Sequence, residues 1–224
     1  MSLCLALMLF VGGYFDAYPK EAKFATDFIH EHAEIWTVLD ETMDRKTAEM
    51  AVAIVAPEIS QYSVVGNWAQ QRTLSISYIL YGRGDFSVGV FQMKPSFAEA
   101  IERIVASDTS LLRLHPLIPL PVDSDTGEMS LRERRHSRLE RLASVEWQCR
   151  YLAAFISIAE RSTAAMKFGD IGERLRYFAT LYNAGIKLTE VQVKARQRRM
   201  QFPRFGNEKF NYADVAVEFY RRMK

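Results

Sequence analysis

Cysteine is almost absent: Cys4 and Cys149 are the only two in 224 residues. Two thiols cannot build a disulfide framework or fill a four-ligand structural zinc site. Histidine is nearly as scarce, at four. Its one cluster, His30-Glu31-His32-Ala33-Glu34, lacks the His-Glu-x-x-His spacing of a helical zinc site, and no third ligand is evident. It reads as a solvated helix face, so no metal or cofactor is expected. A charge excess of one sign is missing too. The net charge is +2, which gives no general attraction to nucleic acid. Long apolar runs are lacking, since the longest uninterrupted one, Leu3–Val11, has nine residues against the roughly 20 that a membrane-spanning helix needs.

What is present describes a globular chain. About half of it (49%) is hydrophobic and a quarter (25%) charged, too apolar for a disordered chain and ample for a core at this length. The charge is unevenly placed. Residues 131–224 hold 20 basic against 10 acidic side chains (+10), leaving residues 1–130 with 9 against 17 (−8). Solvated helix faces explain that split without a polarised surface. The apolar run ahead of Gly12-Gly13 matches the core of a secretory signal, although no basic residue precedes it. Residues 1–13 are therefore expected to be a signal peptide or apolar N-terminal segment, and residues 14–224 one domain. Removal of the leader near Gly13 would leave Cys149 as a single thiol, most simply a small core residue.

Helical signals dominate the rest. Pro19 opens a helix in which Phe28, His32, Ile35, Trp36 and Leu39 recur at spacings of three and four. Asp44 is placed to cap a helix from Arg45 to Ala56, which Pro57 should end. Lys94-Pro95 starts another, with Phe97, Ile101, Ile104 and Val105 on one face. Residues 107–130, broken by Pro116, Pro119, Pro121 and Gly127, read as a loop, and Arg132–Arg161 as one long helix. Asp170 and Glu173 form a capping box for a helix that Gly185 ends, and Asn211 starts a last one. Only Tyr62–Val65 and Leu74–Tyr81 look strand-like, enough for a small β-hairpin. The expectation is a mainly α domain with a small β excursion.

Three segments hold residues that helix packing does not ask for. Glu58 follows a long apolar helix. Gly89-Val90-Phe91-Gln92-Met93-Lys94-Pro95 sets a lone glutamine between apolar residues. Tyr182-Asn183-Ala184-Gly185 sits at a helix C-terminus. Taken singly, Glu58 is a first-turn acid, Gln92 a solvated side chain, and Asn183 with Gly185 a helix stop.

In this order, however, the three resemble the lysozyme-like soluble lytic transglycosylases, with some likeness to goose-type lysozymes, over roughly Arg45 to Tyr220. The resemblance implies a lysozyme-like helical fold, export to the periplasm or cell envelope, and cleavage of the MurNAc-β-1,4-GlcNAc bond of peptidoglycan. It makes Glu58 the catalytic acid and then base, with Gln92, Tyr182 and Asn183 as substrate-binding residues. The chain departs from the family pattern at Ile59, where a Ser is usual. It departs again in the longer separation of Glu58 from Gln92. Two alternatives stay open: a hydrolytic muramidase with Asp85 as second carboxylate, and a non-catalytic glycan-binding or scaffold module. The expected partner is the peptidoglycan glycan strand. The basic stretches Lys194–Arg199 and Arg132–Arg141 contain no nucleic-acid module. They are exposed faces, suited at most to anionic wall polymers or lipid headgroups at the envelope.

Overall fold

The computed structural model describes residues 12–65, 68–84, 86–114, 116–118 and 130–223. The apolar run at 3–11, most of the segment at 107–130 beyond Leu114, and Asp85 lie outside the described residues. Eleven helices are formed among the described residues, in keeping with a mainly α class: α1 (Tyr14–Ala17), α2 (Pro19–Glu31), α3 (Ala33–Asp40), α4 (Arg45–Val65), α5 (Trp68–Tyr81), α6 (Pro95–Ser107), α7 (Leu131–Ala143), α8 (Val145–Ser162), α9 (Ile171–Ala184), α10 (Glu190–Arg196) and α11 (Tyr212–Arg222). None is long and apolar enough to cross a membrane.

Two helices carry the centre because they are apolar on every side. In α4 every residue from Met50 to Gln61 is buried, and in α8 every residue from Tyr151 to Ala159. A helix of that kind must be covered all round. Around α4 lie α2, α9 and α11; around α8 lie α3, α6, α7 and α9. Amphipathic α6 turns Ile101 and Val105 inward, and one apolar core runs from Tyr14 to Tyr220. Cys149 belongs to it, with burial pushing its thiol up to about 12. His32 marks the break between α2 and α3, its ring stacked on Phe28.

The caps fall where the residue types place them. Thr47 N–H donates to Asp44, Glu173 N–H to Asp170, and Ala213 and Asp214 N–H to Asn211. Ser144, whose hydroxyl caps α8, divides the expected Arg132–Arg161 helix in two.

Two expectations need correction. Pro57 does not end α4; it lies inside it. A proline there removes an amide donor and crowds the preceding turn, costing about 3 kcal/mol. Burying Ile54, Val55 and Ile59 completely offsets this, at roughly 1.5–3 kcal/mol per aliphatic side chain. One tertiary donor and one within the helix also serve carbonyls near the proline. Tyr212 Oη–H donates to the Ile54 carbonyl (2.8 Å), Ser60 Oγ–H to the Pro57 carbonyl (2.7 Å), and Tyr14 Oη lies 2.8 Å from Ser60 Oγ.

The β-hairpin expected from Tyr62–Val65 and Leu74–Tyr81 is absent as well. Those residues end α4 and fill α5, and no strand is formed among the described residues. The alternation in Leu74–Tyr81 is not used: Ile76 is exposed, whereas Tyr78 is buried. Helical pitch carries the Tyr78 hydroxyl to Glu99 and Arg138, and the Ile79 carbonyl accepts from Arg135. Contacts with α6 and α7 therefore override the β-propensity of the sequence. The antiparallel bridges that do form are isolated ones, Val88–Met93 and Phe202–Phe210.

Candidate functional site

Continuation of α4 through Pro57 puts Glu58 on the wall of a cleft instead of in a loop. Its side chain is 5% exposed, between the fully buried Val55 and Ile59. Among the described residues no cation pairs with it at bonding distance, and two amides hold it. Gln61 Nε2 donates to Oε2 and Asn183 Nδ2 to Oε1, each at 3.3 Å. Burial pushes the Glu58 carboxyl up to about 7, against the opposing pull of Arg204, the two amides and Lys94. Near neutral pH such a group is part acid and part base, the condition for moving a proton in either direction.

The glutamine segment forms a tight turn beside it. Val88 and Met93 exchange backbone hydrogen bonds at 2.8 and 3.1 Å, and Gln92 N–H donates to the Gly89 carbonyl (3.1 Å). Gln92 itself has φ +51°, an unusual conformation for a residue with a side chain. Three contacts hold it there. Gln92 Nε2 donates to the Gly89 carbonyl (2.8 Å), Phe91 N–H donates to Gln148 Oε1 (2.7 Å), and Tyr182 Oη–H donates to the Phe91 carbonyl (2.7 Å). Gly89, at φ +69°, is required twice over, because a Cβ there would collide with Gln148 Nε2 and the Leu142 carbonyl.

Four of the sequence-predicted residues, Glu58, Gln92, Tyr182 and Asn183, therefore meet in one place and line one hollow. The buried Tyr182 uses its hydroxyl to fix the turn, so it positions Gln92 through the backbone. Asp85 lies outside the described residues. Gly185 ends α9 at φ +134°, letting the chain leave directly after Asn183.

Two residues of the arrangement were not foreseen. Gln61 follows Glu58 by three positions, a neighbour on the same face only if the helix continues past Pro57. Its Oε1 accepts from Arg204 N–H (2.6 Å), tying the segment before α11 to the carboxyl. Gln148 is fully buried in α8, and between Glu146 and Arg150 it gives no sequence signal of that burial.

The cleft consists of two adjoining hollows of about 320 and 450 Å3 that meet at Glu58, Lys94, Asn183, Ala184 and Arg204. The first has Phe97, Tyr182 and Ile186 along its wall. The second is polar, with Gln61, Arg196, Arg199, Gln201 and Asn211. Glu58 is the one carboxylate among the described residues of either hollow. Groups of three or more His, Cys, Asp or Glu side chains able to hold a metal are absent among the described residues. Compared with known proteins, the chain matches no family model, no curated protein and no solved structure.

Proposed function

We propose that the protein is a peptidoglycan-cleaving lytic transglycosylase built on a lysozyme-like helical fold, with Glu58 as its acid and then its base. The observation that carries this reading is a single carboxyl, buried, held by two neutral amides, and set where two hollows of an open cleft meet. An extended glycan with one sugar in each hollow would lie with its bond over Glu58. Breaking that bond requires a proton on the departing oxygen and support for an oxocarbenium-like carbon. Protonated Glu58 gives its proton to the leaving oxygen as the C–O bond breaks, and the acetamido group of the muramic sugar supports the anomeric carbon. The resulting Glu58 carboxylate takes the proton of the C6 hydroxyl, whose oxygen closes onto the anomeric carbon as a 1,6-anhydro ring. The carboxyl ends protonated, as it began, and no second carboxylate is needed.

Gln92, presented by its clamped turn, and Asn183, bonded to Glu58, are the residues placed to touch sugar and acid together. On this reading the protein acts in the periplasm or at the cell envelope.

The test is digestion of purified peptidoglycan with mass spectrometry of the soluble products. Products ending in 1,6-anhydro-N-acetylmuramic acid are expected, and none from Glu58→Gln. Reducing ends, one water heavier, would replace this reading with the hydrolytic one. Full activity in Glu58→Gln would remove Glu58 from the mechanism.

A further inference from the structure

Two basic stretches run through the second half of the chain, and the fold treats them differently. In α7, Arg138 and Arg141 turn inward to Glu102, and Arg135 donates to the Ile79 carbonyl. Residues 187–200 hold five basic side chains against one acidic, and all six are exposed. Lys194 pairs with Glu190. Lys187, Arg196, Arg198 and Arg199 form no ion pair with a described residue.

This segment is fastened from the inside. Val193 is fully buried, and α10 packs on α9. A capping box of Thr189 with Gln192 fixes the start of α10, and Asn211 Nδ2 donates to the Gln197 and Arg199 carbonyls beyond its end. Helical spacing turns Val191 and Ala195 away from Val193, with Lys194 beside them. Arg198, Arg199 and Met200 follow, all exposed. Val191, at 77%, is the most exposed large apolar side chain among the described residues, and Met200 is 57% exposed. Single exposed apolar residues and unpaired surface cations are each ordinary. Together on one fastened face they match the two layers of an anionic bilayer surface, phosphates outside and acyl chains beneath. A soluble polyanion would use the cations and leave the apolar pair idle.

We propose that the face formed by residues 187–200 docks on an anionic lipid surface. Val191 and Met200 enter the acyl boundary, while Lys187, Lys194, Arg196, Arg198 and Arg199 meet phosphate head groups. Arg196 and Arg199 also belong to the lining of the second hollow, so docking turns that end of the cleft toward the bilayer. On the glycan-cleaving reading the enzyme then works on strands lying at the membrane surface. The docking itself does not depend on that reading.

The test is co-sedimentation of the full chain with phosphatidylcholine vesicles and with mixed phosphatidylglycerol–phosphatidylcholine vesicles. Binding to the mixed vesicles is expected to be at least about tenfold tighter, a margin that shrinks as salt rises. Lys194→Gln with Arg198→Gln removes two charges at about fivefold each, and should weaken that binding by roughly 25-fold. Val191→Ser with Met200→Ser should weaken it by about tenfold and leave its salt dependence in place. All four side chains are exposed, so circular dichroism and the unfolding midpoint should match the parent. Each variant is compared with the full-length parent, so contributions from elsewhere in the chain cancel. Equal binding to both vesicle types overturns the inference, as does mixed-vesicle binding that the glutamine pair leaves unchanged. Charge-dependent binding that the serine pair leaves unchanged, with single-stranded DNA bound as tightly, overturns it in favour of a soluble polyanion. Digestion of peptidoglycan is scored separately. Docking without any released product overturns the cleavage reading and keeps the lipid surface, and cleavage without docking does the reverse.

Discussion

Glu58 and Glu102 are both almost fully buried, at 5% and 3% exposure, yet their surroundings are opposite. Glu102, on α6, is gripped by cations. Arg138 donates to both of its oxygens, Arg141 lies 3.6 Å away, and Tyr151 Oη–H donates to Oε1 at 2.6 Å. Arg138 also reaches Glu99 and Tyr78, so this network fastens α5, α6, α7 and α8 together. Among the described residues Glu58 has only amides at bonding distance, and it opens onto a cleft. A buried carboxylate that is paired serves as a structural joint. A buried carboxyl held by neutral amides stays near its protonation midpoint and remains available for chemistry. The same side chain thus sits in two opposite settings, separated by the neighbours each has, and on the reading proposed above the second is the one that does chemistry.

The sharpest way to break the comparison is to truncate each acid. Glu58→Gln should lower glycan cleavage by roughly 10²–10⁴-fold, the usual range for general acid–base assistance, measured as soluble product released per minute. Glu102→Ala should leave the half-closed pair of Arg138 with Glu99 and strand Arg141 and the Tyr151 hydroxyl, destabilising the fold by up to about 3 kcal/mol, read from denaturant unfolding. If Glu102→Ala unfolds no more easily than the parent, the network is not the joint it looks to be.

A pH series sharpens the contrast. The Glu58 carboxyl is raised in the folded protein from 4.5 to about 7, so between those values the native state binds more protons than the unfolded one. Stability from this group is fully present below about pH 4.5 and lost as pH rises through 7. Wild type relative to Glu58→Gln should therefore lose about 3 kcal/mol between pH 4 and pH 8, a shift of 2.5 units at 1.36 kcal/mol each. Parallel stability curves for the two proteins would mean that Glu58 is not held in an apolar setting.

Smaller effects test the parts that support the site. Tyr182→Phe removes one donor from the Phe91 carbonyl and should cost about 1 kcal/mol of stability, with a fall in kcat. Loss of stability with unchanged kcat would show that the turn matters to folding alone. Gln61→Ala takes away an amide that favours the ionised form of Glu58. The alkaline limb of the rate–pH profile should then move to higher pH, and a limb that stays put would detach Gln61 from the acid.

Much of this was legible along the chain. The caps Asp44, Asp170 and Asn211, the Pro95 start and the Gly185 stop are local devices, each satisfied within a turn or two of backbone. The cluster of Glu58, Gln92, Tyr182 and Asn183 was legible as three separate oddities in order. What failed did so where distant parts of the chain decide. Pro57 reads as a terminator because its local cost is plain, whereas the burial of Ile54, Val55 and Ile59 and the hydroxyl of Tyr212, far away in sequence, help keep α4 intact across it. Leu74–Tyr81 reads as a strand from its alternation, whereas Arg138 and Glu99 select the helical pitch through Tyr78.

Residue types and their spacing by themselves determined a helical chain, its caps, its apolar helices and a short set of chemically unusual residues, because those properties arise from interactions within a few residues. Tertiary structure alone decided that α4 runs through its proline, which in turn sets Gln61 beside Glu58. It decided as well that Gln148 and Tyr182 clamp the Phe91 peptide from opposite ends, and that three arginines line a hollow next to the acid. Such arrangements depend on desolvation and on partners many residues apart, and neither exists until the core has closed.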